Sequence, residues 1–144
     1  MKSLNAMQAQ DRPDAAATRK AQEYLDLSQL EGTWVNTSTS THGIAKVVIY
    51  VKASTLTVQP FGADGAIIGD WGKVEADVVY PAGIRPHECM GFVASYNFDF
   101  MESQLQGNMN LGLLIIASFN TFKDDSGRSN YFGREFFHKQ YRAH

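Results

Sequence analysis

Arg134 and His138 are the residues of this chain whose types and spacing most invite a chemical reading. They stand four apart in a run, residues 130–140, that reads as a strand, and residues an even number apart on a strand share a face. With Glu135 and Lys139 taken to face water, the expected inner set is Phe132, Arg134, Phe136 and His138. An inward guanidinium keeps its charge, so it must be paired or bonded to a polar ligand group. An imidazole exchanges a proton near neutral pH, as a general acid or base does. Asp70, in Asp70-Trp71-Gly72 after a Gly-rich stretch, adds a carboxylate, so the candidate catalytic set is His138, Arg134 and Asp70. The competing reading pairs Arg134 with Asp70 or Glu135, leaves His138 at a solvated rim, and gives Asp70 to turn chemistry.

Other motifs point to little chemistry. His87-Glu88-Cys89 has ligand-type side chains, but adjacent residues in a Pro-rich loop do not converge on one ion, and no C-x-x-C or H-E-x-x-H pattern accompanies them. No metal site and no cofactor is therefore expected. Cys89 shows no activating base, and as the single cysteine it forms no internal disulfide. Ser126-Gly127-Arg128-Ser129-Asn130 reads as a hairpin tip, without a phosphate-binding fingerprint. Thirteen Lys+Arg against fifteen Asp+Glu leave a net charge of −2, which argues against nucleic acid as a partner. The longest apolar run, residues 113–117, is too short to span a bilayer, so no membrane is expected as a partner. Met1 to Lys20 lacks an apolar signal core, and a cytoplasmic setting is expected.

A chain of 144 residues suits one domain able to bury a core without metals or disulfides. Residues 1–13 read as a loose tail, and residues 14–30 as a helix and turn. Asp14 caps Ala15-Ala16-Ala17, and the helical pattern runs to about Leu27 with Ala17, Ala21, Tyr24 and Leu25 on one face. From Gly32 on, strand-like runs alternate with turn signals: 33–38, 44–52, 55–61, 69–80, 92–100, 102–109, 112–122 and 130–140. Links this short cannot carry parallel crossovers. The expected fold is all-β: an eight-stranded up-and-down antiparallel β-barrel preceded by one short N-terminal helix. Alternation places Ser103, Leu105, Gly107 and Met109 inside, and likewise Asp70, Gly72, Val74, Ala76 and Val78. The bulkier parity of the fifth run assigns Phe92, Ala94, Tyr96 and Phe98 to the lumen.

The segment Leu27 to Asn36, Leu-Ser-Gln-Leu-Glu-Gly-Thr-Trp-Val-Asn, resembles the opening of the calycin barrels: lipocalins, fatty-acid-binding proteins and avidins. The resemblance implies a calycin-like barrel over residues 31–144, with Trp34 closing its base against a basic residue near the end of the last strand. Arg142 is the candidate for that basic residue. Gly32-Thr33-Trp34-Val35-Asn36 is most similar to the avidins, whose Asn at this position faces the lumen and contacts biotin. Avidins also line that site with later tryptophans, whereas the only other one here is Trp71. Asn36 is thus expected to face the lumen without biotin as the implied ligand.

Nine Phe and six Tyr either fill a small barrel or line an apolar pocket within it. The expected function is binding of a small apolar or amphipathic molecule in the barrel, through Asn36, Tyr96, Phe98, Arg134, Phe136 and His138. The alternative is a cofactor-independent cyclase, isomerase or lyase that folds such a molecule into its reactive shape. A filled barrel would instead mark a structural protein. The runs 44–52 and 112–122 are apolar on both parities, so a homodimer or higher oligomer through one of them is expected.

Overall fold

Strands form where the apolar alternation lies. The computed structural model describes residues 25–84 and 87–141. The strands are β1 (Gly32–Asn36), β2 (Ile44–Lys52), β3 (Thr55–Gly62), β4 (Val74–Glu75), β5 (Val78–Pro81), β6 (Cys89–Asn97), β7 (Met101–Asn110), β8 (Leu113–Phe122) and β9 (Tyr131–Gln140). They make one strongly curled antiparallel sheet in the order β4-β3-β2-β1-β9-β8-β7-β6-β5. Apart from β4 and β5, strands adjacent in sequence pair with each other, and the first strand also pairs with the last, Trp34 opposite Lys139. Among the described residues there is no helix, and none is long and apolar enough to cross a membrane.

Nine strands replace the expected eight because the run 69–80 breaks in two. Val74 and Glu75 pair with β3, while Val78 to Pro81 pair with β6. Between them Ala76 N–H donates to Leu56 O (2.8 Å) and Asp77 N–H to Val93 O (2.7 Å). One stretch of chain thus exchanges one partner strand for the other, and the buried parity slips: Val74 and Ala76 are half-buried, then Val79 is buried instead of Val78. The tail expected over 1–13, and residues 14–24 of the expected helix, lie outside the described residues. Leu25 to Leu27, its expected end, form a bend and a β-bridge, Asp26 pairing with Glu88.

The interior of the curl is apolar toward one end and mixed toward the other. Val47, Ile49, Leu56, Val58, Phe92, Leu105, Leu114, Ile116 and Phe137 are buried there. Trp34 is 1% exposed and donates through Nε1 to Leu30 O (2.9 Å), so the turn at residues 28–30 plugs this end. The basic partner over its ring is Lys139, whose Nζ lies 5.4 Å from the ring centroid and also donates to Gln29 O (3.4 Å). Arg142, the residue expected in that role, lies outside the described residues.

Candidate functional site

At the end of the curl away from Trp34, four elements bring polar side chains to the inner face. Asn36 closes β1; Ser118 and Asn120 stand near the end of β8, Glu135 near the start of β9, and Ser103 near the start of β7. Asn36 is buried and its amide is fully used: Oδ1 accepts from Ser38 N–H (2.8 Å), and Nδ2 donates to Ile44 O (2.9 Å) and to the Glu135 carboxylate. Glu135 also accepts from Thr41 Oγ1 (2.8 Å) and, at longer range, from Ile44 N–H (3.4 Å). The loop between β1 and β2 can close on Glu135 because residue 43 is glycine: a Cβ there would lie 2.3 Å from Oε1. On the adjoining strands β7 and β8, Ser103 Oγ donates to Asn120 Oδ1 (2.6 Å), and Asn120 Nδ2 donates to Ser118 Oγ (3.2 Å). Among the described residues, no buried side-chain nitrogen or oxygen lacks a partner.

Between these polar groups and an apolar cover lies a cavity of about 110 Å³. Its apolar wall is Ile44, Ile67, Ile68, Trp71 and Met101; its polar wall includes Ser118, Asn120, Tyr131 and Glu135, with His42 at the rim. The cover is the connection after β3, which folds back on itself: Gly62 N–H donates to Gly69 O (2.7 Å) and Trp71 N–H to Pro60 O (3.0 Å). Ala63 N–H ties it to Gly43 O (2.8 Å). Trp71 anchors its far end, edge-on to Tyr96 at 5.3 Å and to Phe98 at 5.5 Å between ring centroids. The Tyr96 hydroxyl lies within hydrogen-bond distance of both Gly72 O (2.8 Å) and Val58 O (3.1 Å), and burial, with Asp70 nearby, pushes its pKa well above the usual phenol range. The Tyr131 phenol is also raised, first by burial and then by the Glu135 charge.

The expected site is only partly brought together. Asn36 and Tyr96 are buried on the inner side, and Phe98 packs against the core there. Arg134, Phe136 and His138 are not inside. Glu135 and Phe137 point inward and Lys139 shares the face of Trp34, so the other parity of β9 faces out: Arg134 and His138 are exposed, and Phe136 is half-buried beneath the Arg134 guanidinium (5.4 Å). The inversion has a plain cause. β9 carries charge and aromatic rings on both parities, so polarity alone does not rank its faces. The signal that does is the pairing of β9 with β1, which carries Lys139 to the face of the buried Trp34.

Asp70 is also outside. Its carboxylate accepts from Gly72 N–H (2.8 Å) and Gln59 Nε2 (3.0 Å), and the Gln59 bond, then the Gly72 bond, lower its pKa. This is the turn chemistry of the competing reading. Cys89 is buried, its Sγ donating to Gly91 O (3.2 Å), and burial pushes its thiol pKa up, the reverse of nucleophile activation. Among the described residues, no group of three or more His, Cys, Asp or Glu is arranged to hold a metal ion. Compared with known protein families, characterised proteins and solved structures, the chain gives no match.

Proposed function

We propose that this chain is a binding protein, a calycin-like barrel with its strands closed around the lumen, that holds a small, mostly apolar molecule in the cavity at its open end. The observation that carries the reading is the cavity itself: about 110 Å³, walled by Ile44, Ile67, Ile68, Trp71 and Met101 opposite a few fixed polar groups. That makeup is the usual one for a small-molecule site. Apolar cavities of roughly 150 Å³ accept a benzene-sized guest, so the occupant is a compact molecule or one end of a longer one. Closure is supported by the pairing of β1 with β9 and by the stretch 74–81 that joins β3 to β6. Kinship with calycins is supported by Trp34, buried beside a basic side chain of the last strand. The catalytic alternative is not advanced, because Arg134, His138 and Asp70 are exposed on the outer surface.

The test is an amide chemical-shift titration of the full chain with benzene and with 1-butanol. Shifts are expected to cluster at Ile44, Ile68, Ser118 and Gly133. Shifts scattered over the surface, or none at millimolar probe, would overturn the reading.

We also propose that copies associate through the outer face of β8 and β9, in a cytoplasmic setting. There Phe119 and Phe132 meet at a tilt in the open, ring centroids 5.2 Å apart and exposed by 45% and 57%.

A further inference from the structure

Among the described residues, Glu135 is the one carboxylate on the cavity wall, and none of the lining residues is a lysine or arginine. Among the described residues, no Lys, Arg or His nitrogen lies within salt-bridge distance of it; the pair that does form is Arg128 with Asp124, on the link between β8 and β9. What holds Glu135 is a set of neutral donors: the Asn36 amide, the Thr41 hydroxyl and the Ile44 N–H. These position the carboxylate, and among the described residues no cation compensates its charge, which sits in a half-buried setting where charge is felt more strongly than in water. The Trp71 indole and the Tyr131 phenol line the same cavity, and aromatic rings also favour a cation. Burial first, and the Glu135 charge second, raise the Tyr131 pKa.

We infer that the cavity selects a small organic cation, an alkylammonium whose charged head meets Glu135 and whose short apolar body lies against Ile44, Ile67, Ile68, Trp71 and Met101. This rests on the reading of the cavity as a small-molecule site and specifies its ligand class. Three protein donors leave the carboxylate with acceptor capacity for an ammonium N–H, because two oxygens offer about four lone-pair sites. A ligand anion is disfavoured by the same charge. If Glu135 is instead only a latch for the loop between β1 and β2, it should be indifferent to ligand charge.

The test compares n-butylammonium with 1-butanol, which share an apolar body, by amide chemical-shift titration of the full chain at pH 7 and low salt. The ammonium is expected to bind roughly ten-fold tighter than the alcohol, as a charge-assisted contact should, and to lose that advantage in high salt. In Glu135→Gln, which keeps an acceptor for Asn36 and Thr41, the two probes should bind alike. Equal binding of both probes to the unaltered chain would overturn the cation inference and leave the cavity reading standing. No binding of either probe would overturn both. Because the decisive comparison uses the unaltered chain, a failure of the variant to fold does not blunt it.

Discussion

Tyr96 ties the sheet interior to the cover of the cavity through a single hydroxyl, within reach of Val58 O and Gly72 O. Its pKa in the folded chain lies above the unfolded value near 10.0, because burial disfavours the phenolate. The linked stability is therefore fully present below about pH 10 and is lost as pH rises toward the folded pKa. Tyr96→Phe should cost about 1–2 kcal/mol at pH 7 through the lost hydrogen bond. It should also lose less stability between pH 9 and pH 11 than the unaltered chain, measured as urea midpoints. An equally steep alkaline loss would assign the titration to another group. At the opposite end, Trp34 is buried under Lys139 and bonded to Leu30, so Trp34→Ala should cost about 3–5 kcal/mol. An unchanged thermal melt would remove Trp34 from the plug.

The β7–β8 hairpin turns through Leu111 and Gly112, both at positive φ (52° and 80°), the pattern of a two-residue turn that suits the twist of the strands. Glycine takes this conformation freely, whereas leucine is strained by it, and Leu111 is fully exposed, so its side chain offers no packing in return. Leu111→Asn should raise stability by about 0.5–1 kcal/mol, and a lowered denaturation midpoint would contradict this. The faces of β9 yield a second prediction. Arg134 is exposed and, among the described residues, reaches only the Phe136 ring, so Arg134→Ala should change stability by no more than about 0.5 kcal/mol and leave cavity binding intact. A loss of probe binding in that variant would mean that β9 presents its other face to the lumen. Strand alternation was legible in β7 because its polar residues, Glu102, Gln104, Gln106 and Asn108, keep one parity throughout. It was not legible in β9, where neither parity is cleanly polar.

At the scale of the whole molecule, β4 and β5, the two ends of the sheet order, are separated along the chain by only Ala76 and Asp77. What stays open is apolar surface outside the curl, where β8 turns Leu113, Ile115, Ala117 and Phe119 outward beside Phe132 of β9. With two copies joined there, light scattering should report twice the 16.0 kDa chain mass, and Phe119→Ser with Phe132→Ser should return it to a single chain. A single-chain mass for the unaltered protein at high concentration would refute the association.

Much of this protein is determined by local pattern. Alternation and turn residues mark where the strands lie and that they run antiparallel, and Gly32-Thr33-Trp34 marks the residue that seals one end. Tyr96, Phe98 and Asn36 belong inside on the same grounds, since bulk and parity agree there or a resemblance supplies the face. The chemistry at the other end was decided only by tertiary structure. Whether Glu135 or Arg134 looks inward depends on the register of β9 against β1, a contact between residues about a hundred positions apart. The cavity likewise exists because the chain after β3 folds back to meet Gly43 and Tyr96, long-range bonds that no local pattern encodes. Local sequence sets which side chains share a face, but pairing between distant strands chooses which face is the interior.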